Sequence, residues 1–200
     1  MTLITISQNM NLLQEIFPYL ARQVVEDYGI TRGICLDIGS GDGNFGLEIA
    51  EITALTVYLV DKDANALSNG RRRAEERSLG DQIQTVETDV HDMELPDNFA
   101  DLIVSRGSIW FWRDRSQGLR EIYRVLKKGG VAMVGGGLGR KLPAKYRIPR
   151  AREREKRKKD PDWMYIRSEE YFRKILSEAG IETYRLNFDA PVGRWAEINK

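Results

Sequence analysis

Cysteine and histidine are nearly absent from this sequence of 200 residues, which contains one of each. A single thiol excludes a disulfide within the chain and any metal site built from several cysteines. Cys35 stands in an apolar stretch with the pattern of a strand, where a cysteine acts as a small buried side chain. We therefore predict neither a disulfide framework nor a metal site.

Long apolar runs are absent as well. No stretch of about 18 apolar residues occurs, and the first cation is Arg22, so neither a membrane span nor a signal peptide is indicated. The composition, 42% hydrophobic, is sufficient for one buried α/β core. We predict a cytoplasmic protein with a single domain over residues 1–200, which includes a helical cap at 1–30 and a basic, lid-like insertion at 139–167.

A large net charge is also missing, but the charge is unevenly distributed. Residues 140–159 hold eleven Lys and Arg against Glu153 and Glu155, so this segment carries +9 while the whole chain carries +1. The pairs Glu153 with Arg157 and Glu155 with Lys159 have the i,i+4 spacing of an exposed helix that stabilises itself. The alternative is a surface for an anionic partner, either a small anion or RNA. A near-neutral chain makes nucleic acid the less expected partner.

Strand and helix patterns alternate five times along the chain, which predicts an α/β fold with a doubly wound, mostly parallel sheet. Only residues 189–194 join the last two predicted strands. Such a short link cannot form a parallel crossover, so these strands should pair as an antiparallel hairpin. Pro18 should break or kink the first predicted helix, so two short helices fit residues 9–28 as well as one. Strands are predicted at 34–38, 55–61, 83–88, 99–105, 131–134, 181–188 and 195–198, and helices at 9–28, 44–52, 64–79, 118–126 and 168–179.

The glycine-rich turn after the first strand has the composition of a nucleotide-binding turn. Gly39, Gly41 and Gly43 suit a backbone with positive φ against which a ligand can lie. Counted from Gly41, the residues also spell the G-x-G-x-x-G fingerprint of dinucleotide sites. In that fingerprint the first glycine directly follows the strand, and counted from Gly39 the third position is Asn44. Asp42 would also repel a pyrophosphate, so a cofactor without phosphates is favoured over NAD.

Acidic residues end the first three predicted strands, namely Asp37, Asp61 and Asp89. Ligands of open α/β sheets lie at the carboxyl ends of the strands, so these carboxylates should surround one site. Asp61 follows Gly39 by 22 residues, close to the spacing of about 20 expected for a carboxylate that binds ribose hydroxyls. The alternative is that Asp61 or Asp89 is a helix N-cap.

With these features, the sequence resembles the class I (Rossmann-like) S-adenosylmethionine-dependent methyltransferases over nearly its whole length. Asp37–Gly43 resembles the first motif of that family, and Leu126–Gly130 resembles its L-x-P-G-G signature, with Lys128 where proline is usual. The most similar branch acts on small molecules and includes quinone-biosynthesis methyltransferases. The resemblance implies a seven-stranded sheet with a C-terminal antiparallel pair, S-adenosylmethionine as cofactor, S-adenosylhomocysteine as product and a small-molecule acceptor. An anionic acceptor would be attracted by the basic segment.

The resemblance also implies roles for individual residues. Asp37 and the glycine turn would face the methionine part of the cofactor, Asp61 would bind the ribose, and Asp89 with the Val90 N–H would read the adenine. The implied cofactor-binding set is Asp37, Gly39, Ser40, Gly41, Asp61, Lys62, Asp89, Val90, His91, Ser105 and Arg106.

The catalytic residues are left open by the sequence. His91, Arg106 and Trp110 are candidates, because an amine or hydroxyl acceptor must lose a proton while a thiolate or enolate need not. His91 is alternatively a support for the backbone beside the adenine, and Ile109–Trp112 is either a pocket wall or part of the core. Two other functions stay open: an RNA or protein methyltransferase that docks through the basic segment, and a protein that binds the cofactor without methyl transfer.

Overall fold

The computed structural model of the chain describes residues 15–143, 161–188 and 193–200. Most of the predicted basic insertion and the first half of the predicted helical cap lie outside these residues. The paired charges proposed for Glu153 to Lys159 therefore also lie outside the described part of the chain.

A seven-stranded sheet organises the fold. Its strands in chain order are β1 (Arg32–Ile38), β2 (Ala54–Asp61), β3 (Ile83–Glu87), β4 (Ala100–Arg106), β5 (Leu126–Gly137), β6 (Tyr184–Asn187) and β7 (Gly193–Asn199). The spatial order is β3-β2-β1-β4-β5-β7-β6, with β1 to β5 parallel and β7 antiparallel to both of its neighbours. The predicted mostly parallel sheet with a C-terminal antiparallel pair is confirmed.

Helices cover both faces of the sheet. They are α1 (Phe17–Tyr28), α2 (Asn44–Glu51), α3 (Ala64–Glu76), α4 (Arg115–Val125), α5 (Pro161–Tyr165) and α6 (Glu169–Glu178), with a 3₁₀ turn at Ser108–Phe111. Cys35 and Leu59 point into the core under α1 and α2, while Leu36 and Val60, one position along, point into the core under α4 and α6. The central strands β1, β2 and β4 are largely buried on both faces, which explains their apolar runs, whereas the edge strands β3 and β6 are not. Cys35 is fully buried, as predicted.

The first helix differs from its prediction because Pro18 lies in its first turn. The helix begins at Phe17, and the N–H groups of a first turn have no partner within the helix, so proline is tolerated there. Pro18 therefore lies in the first turn of a helix, and residues 9–14 of the predicted helix lie outside the described part of the chain. Gly29 ends α1 with a left-handed φ of 67° and donates its N–H to Val25 O.

The helix predicted at 118–126 ends within one residue of its predicted end, but the strand that follows it starts earlier than the predicted residue 131. Helix α4 ends at Val125 and β5 begins at Leu126, paired with Ala100. The register to β4 then shifts, since Leu102 pairs with Val131, so the intervening residues form an irregularity in the strand. Pairing with β7 continues to Gly137, which is why β5 exceeds the predicted 131–134. The structure also has two short elements that the sequence analysis missed, the 3₁₀ turn and α5.

Gly46 of α2 allows this helix to pack closely against β2. A Cβ atom at this position would lie 2.6 Å from Leu59 Cδ2, 3.0 Å from Val57 Cγ1 and 3.2 Å from Asp37 Oδ2. We expect Gly46→Ala to lower the free energy of unfolding by about 1–3 kcal/mol through overpacking, despite the better helix propensity of alanine. Urea unfolding measures this. The loss should shrink in a Leu59→Ala background, and equal costs in both backgrounds would show that packing is not the cause.

Candidate functional site

A cleft of about 500 Å³ opens at the carboxyl ends of β1 to β4. It lies where the strand order reverses between β1 and β4, the usual ligand position in open α/β sheets. The residues that line it are Ile38, Gly39, Val60, Asp61, Lys62, Thr88, Asp89, Val90, His91, Arg106, Gly107, Ser108, Phe111, Trp112 and Arg113.

The glycine turn leads from β1 into α2 with the predicted backbone. Gly39, Gly41 and Gly43 have φ values of 67°, 52° and 75°, which L side chains rarely adopt. The Gly39 N–H donates to Val60 O at 2.8 Å, so the turn is tied to the end of β2. Of the predicted turn residues, Gly39 lines the cleft, whereas Ser40 and Gly41 lie beside it.

Asp61 faces the glycine turn from the end of β2. Its Oδ2 accepts the Gly41 N–H at 2.8 Å and its Oδ1 accepts the Asp63 N–H at 3.1 Å. The N-cap of α3 is Asp63, whose side chain accepts from Asn65 and Ala66, so the N-cap alternative for Asp61 is wrong. A carboxylate has about four acceptor positions, and two of them remain for a ligand in the cleft.

Asp37 lies behind the turn and outside the set of lining residues. Its side chain is buried, and its Oδ2 accepts the Gly46 N–H at 2.8 Å. Burial raises the pKa of the Asp37 carboxyl to about 7; the Gly46 N–H opposes this rise, and the Asp61 charge adds to it. The glycine turn thus lies between the Asp37 carboxyl and a ligand in the cleft.

Asp89 and His91 form a compact turn at the end of β3. Asp89 Oδ1 accepts the His91 N–H at 2.9 Å and contacts the imidazole Nδ1. The pKa of Asp89 lies below its ordinary value, mainly because of the His91 N–H, and the Arg113 charge acts in the same direction. The N-cap alternative for Asp89 is wrong, since no helix follows it before β4.

The imidazole of His91 has both nitrogens engaged. Nε2 accepts the Asp114 N–H at 3.2 Å, so it carries no proton, and the neutral ring therefore donates Nδ1–H to Asp89. The ring is 7% exposed. This arrangement matches the supporting role considered for His91 and leaves neither nitrogen available as a general base without breaking a hydrogen bond.

Two serines connect the end of β4 to the glycine turn. Ser108 Oγ donates to Ile38 O at 3.1 Å and lies 2.6 Å from Ser105 Oγ, which is fully buried. A Cβ on Gly39 would lie 2.2 Å from Ser108 Cβ, so glycine is needed at that position for space as well as for φ. Ser108 lines the cleft, whereas the predicted Ser105 supports it from behind. Ser108 could have been predicted from the sequence, because it belongs to the polar run 105–108 at the end of β4.

Arg106 and the aromatic residues that follow it differ in their positions relative to the cleft. Arg106 donates from Nε to Gly137 O at 3.0 Å, and its guanidinium lies 4.9 Å from the ring centroid of Phe17 in α1. Trp110 is not among the residues that line the cleft and packs between Phe172 and the Arg167 guanidinium, so its position does not support its catalytic candidacy. Phe111 and Trp112 do line the cleft, and Phe111 is 87% exposed.

Arg113 is a further residue of the cleft that the sequence analysis missed. Its side chain is exposed, and among the residues that the structure describes it has no hydrogen bond or ion pair. Within the same described ranges, no cluster of three His, Cys, Asp or Glu side chains could hold a metal ion. No helix in those ranges has the length and apolar character needed to cross a membrane.

Comparisons with known proteins agree with this geometry. A family model described as a methyltransferase domain matches residues 36–134. A chloroplastic 2-methyl-6-phytyl-1,4-hydroquinone methyltransferase of Arabidopsis thaliana is 36% identical over 102 residues, 50% of this chain and 29% of that protein. A ubiquinone/menaquinone biosynthesis C-methyltransferase of Stenotrophomonas maltophilia is 36% identical over 101 residues, 50% of this chain and 40% of that protein. The chain spans less than half the length of these two relatives.

A solved structure covers more of the chain. It is that of a Methanococcus maripaludis protein assigned as an S-adenosyl-L-methionine-dependent methyltransferase, which superposes with a TM-score of 0.81 at 34% identity. The match covers 96% of this chain and 91% of that one. With the sheet order, the glycine turn and the strand-end carboxylates described above, the chain belongs to the class I S-adenosylmethionine-dependent methyltransferases.

Proposed function

We propose that this protein transfers a methyl group from S-adenosylmethionine to a small-molecule acceptor bound in the same cleft. The observation that carries the proposal is the Asp61 carboxylate, bonded to the Gly41 N–H and still able to accept from a ribose diol. The carboxylates in the cleft fit this cofactor, since Asp61 and Asp89 can accept hydrogen bonds from hydroxyl and amine groups and would repel a pyrophosphate. The names of the two curated relatives support a small, quinone-related acceptor.

The proposed cofactor contacts follow the order of the strands. Asp61 would accept from the ribose hydroxyls, Asp89 and the Val90 N–H would bind the adenine edge, and Lys62 would flank it. Gly39 would offer its backbone to the methionine part, with Ser40 and Gly41 shaping the turn. Asp37 would act on the cofactor ammonium through the turn or a water molecule, and Ser105 would act through Ser108. Each of these roles is a proposal supported by position in or beside the cleft.

The protein's share of the chemistry would be alignment and exclusion of water. The bound cofactor supplies a methyl group on a sulfonium that is already a strong electrophile. Phe111 and Trp112 would hold an acceptor ring, and Arg106 would close the cleft towards α1. We assign no general base, because both nitrogens of His91 are engaged. An acceptor that is already a nucleophile, or that loses its proton to water, fits such a site.

We further propose that the acceptor carries negative charge. Arg113 supports this, as an exposed cation at the cleft without a hydrogen bond or ion pair in the described ranges. The neighbouring Phe111 offers an apolar face, so an acceptor with an anionic group on a flat apolar body would use both. The basic segment predicted to attract anions lies largely outside the described residues.

We expect Arg113→Ala to lower methyl transfer about 10-fold at limiting acceptor, corresponding to about 1.4 kcal/mol, while S-adenosylhomocysteine affinity stays unchanged. Turnover with the low-molecular-mass fraction of a cell extract measures the first quantity and calorimetry the second. Arg113→Lys should retain most of the activity. The matched control is Arg32→Ala, because Arg32 is an exposed arginine at the amino end of β1, opposite the cleft. Equal turnover for Arg113→Ala and wild type would contradict an anionic acceptor at this position.

Conversion of S-adenosylmethionine to S-adenosylhomocysteine in the presence of cell extract tests the function. Turnover that survives removal of large molecules by filtration supports a small-molecule acceptor. Turnover abolished by nuclease or protease would instead indicate an RNA or protein acceptor, and tight binding without turnover would indicate a binding protein. Calorimetry with NADH is the control for the cofactor: binding of NADH without binding of S-adenosylmethionine would overturn the proposal.

A further inference from the structure

The loop between β3 and β4, residues 88–99, is docked along one face of α4. Gln117 Nε2 donates to His91 O at 3.1 Å, and the Met93 N–H donates to Glu121 Oε2 at 3.0 Å. Arg124 donates to both Met93 O and Leu95 O at 2.8 Å. Residues 117, 121 and 124 recur at helical spacing, so one side of α4 makes all of these contacts.

His91 stands at the cleft end of this contact row. It joins Asp89, on the loop, to the N–H of Asp114, the N-cap residue of α4. The rigid planar ring thus accepts one hydrogen bond from the Asp114 N–H and contacts the Asp89 carboxylate with its other nitrogen. Asp89 and Arg113, on opposite sides of this connection, both line the cleft.

The segment directly before Asp114 forms the second wall of the cleft. Phe111, Trp112 and Arg113 line it, and Arg115 ties this wall to α4 by donating to Ile109 O and Trp110 O, each at 3.0 Å. We call residues 108–113 the acceptor wall. The wall and the start of α4 are therefore one connected unit, and the His91 ring links the Asp114 N–H directly to the Asp89 carboxylate.

We propose that His91 is a positioning residue that couples the cofactor half of the cleft to the acceptor wall. The inference rests on the proposed function. A cofactor held by Asp89 orders the carboxylate, the carboxylate orders the imidazole, and the imidazole holds the Asp114 N–H and with it the acceptor wall. Coupling of this kind is reciprocal, so acceptor binding would also tighten cofactor binding.

The chain contains one histidine, so a long-range ¹H–¹⁵N spectrum of the folded protein reports His91 alone. We expect the neutral tautomer with the proton on Nδ1, and we expect both the ring signals and the Asp114 amide signal to shift when S-adenosylhomocysteine is added. A ring protonated on Nε2, or an Asp114 amide signal that ignores the ligand, would overturn the coupling.

Two variants separate the two ends of the imidazole. In His91→Asn the side-chain amide can still donate towards Asp89, whereas in His91→Gln the longer side chain can still accept from the Asp114 N–H. We expect His91→Asn to bind S-adenosylhomocysteine more tightly than His91→Gln does but to lose the ligand-induced shift of Asp114. We expect His91→Gln to bind it about 5-fold or more weakly, within the usual range of coupling between sites.

Glu94→Gln, an exposed change on the same loop, is the matched control and should alter neither quantity. If His91 contributed only to stability, both His91 variants would have a lower melting temperature and would not differ in affinity for S-adenosylhomocysteine or in the shift of the Asp114 amide signal. That result would overturn the proposal. The two proposals fail differently. Wild type that does not bind S-adenosylhomocysteine contradicts the proposed function and the inference with it, whereas binding without a response at Asp114 contradicts the inference alone.

Discussion

Replacement of Asp61 by alanine is expected to weaken S-adenosylhomocysteine binding by about 100-fold, or about 2.7 kcal/mol. The variant would lose the proposed acceptor of two ribose hydroxyls, and hydrogen bonds to charged groups contribute about 1.5–3 kcal/mol each. It also leaves the Gly41 and Asp63 N–H groups without their present acceptor, which loosens the glycine turn. Isothermal titration calorimetry measures the affinity.

The matched control for this prediction is Asp63→Ala. Asp63 lies two residues further along and caps α3, so its loss should cost roughly 1 kcal/mol of stability and leave the affinity for S-adenosylhomocysteine intact. Asp61→Asn should fall between wild type and Asp61→Ala, because it keeps one acceptor oxygen. An Asp61→Ala variant with wild-type affinity would show that the end of β2 is not part of the cofactor site.

Asp37→Asn is expected to change the pH dependence of stability. The folded pKa of about 7 lies above the ordinary value of 3.8, chiefly through burial. Between these values the folded protein holds a proton that the unfolded chain has lost, so the stability of wild type falls as pH rises through this window. Such a difference corresponds to about 4 kcal/mol in full. Asparagine cannot ionise, and its oxygen can still accept from Gly46.

Urea unfolding at several pH values between 4 and 8 measures this difference. The stability of Asp37→Asn relative to wild type should increase steadily with pH and level off above about 7, where Asp37 is ionised in both states. Asp81→Asn, at an exposed position, controls for the loss of one carboxylate. A constant difference between Asp37→Asn and wild type across the range would mean that the buried carboxyl does not titrate there.

Local patterns predicted the elements of the fold well. The apolar runs of β1 and β2, the left-handed glycines at 39, 41 and 43 and the short link before β7 each have a local physical cause. Predictions failed where a contact distant in sequence decides. The residues from Leu126 to Gly130 join β5 because Ala100 pairs with Leu126, and Gly129 donates to Lys200 O.

The orientation of side chains around the cleft was less accessible. Trp110 and Phe111 are adjacent, yet the first packs against Phe172 and the second is exposed at the cleft. Nothing in their immediate sequence distinguishes them. The 3₁₀ turn, which was not predicted, directs one side chain inward and the other outward. For the same reason Ser108, at the start of this turn, lines the cleft, while the predicted Ser105 is fully buried.

By itself, the sequence determined the sheet, the left-handed glycine turn and the strand ends at which Asp61 and Asp89 stand, because periodicity and turn chemistry act over a few residues. Only the tertiary structure decided which of these groups face the cleft. Asp37 accepts a hydrogen bond from the Gly46 N–H behind the glycine turn, and His91 accepts one from the Asp114 N–H. Ser108 donates to Ile38 O, which is 70 residues away in sequence. Such contacts join elements that are distant in sequence, and their geometry exists only once the layers have packed together.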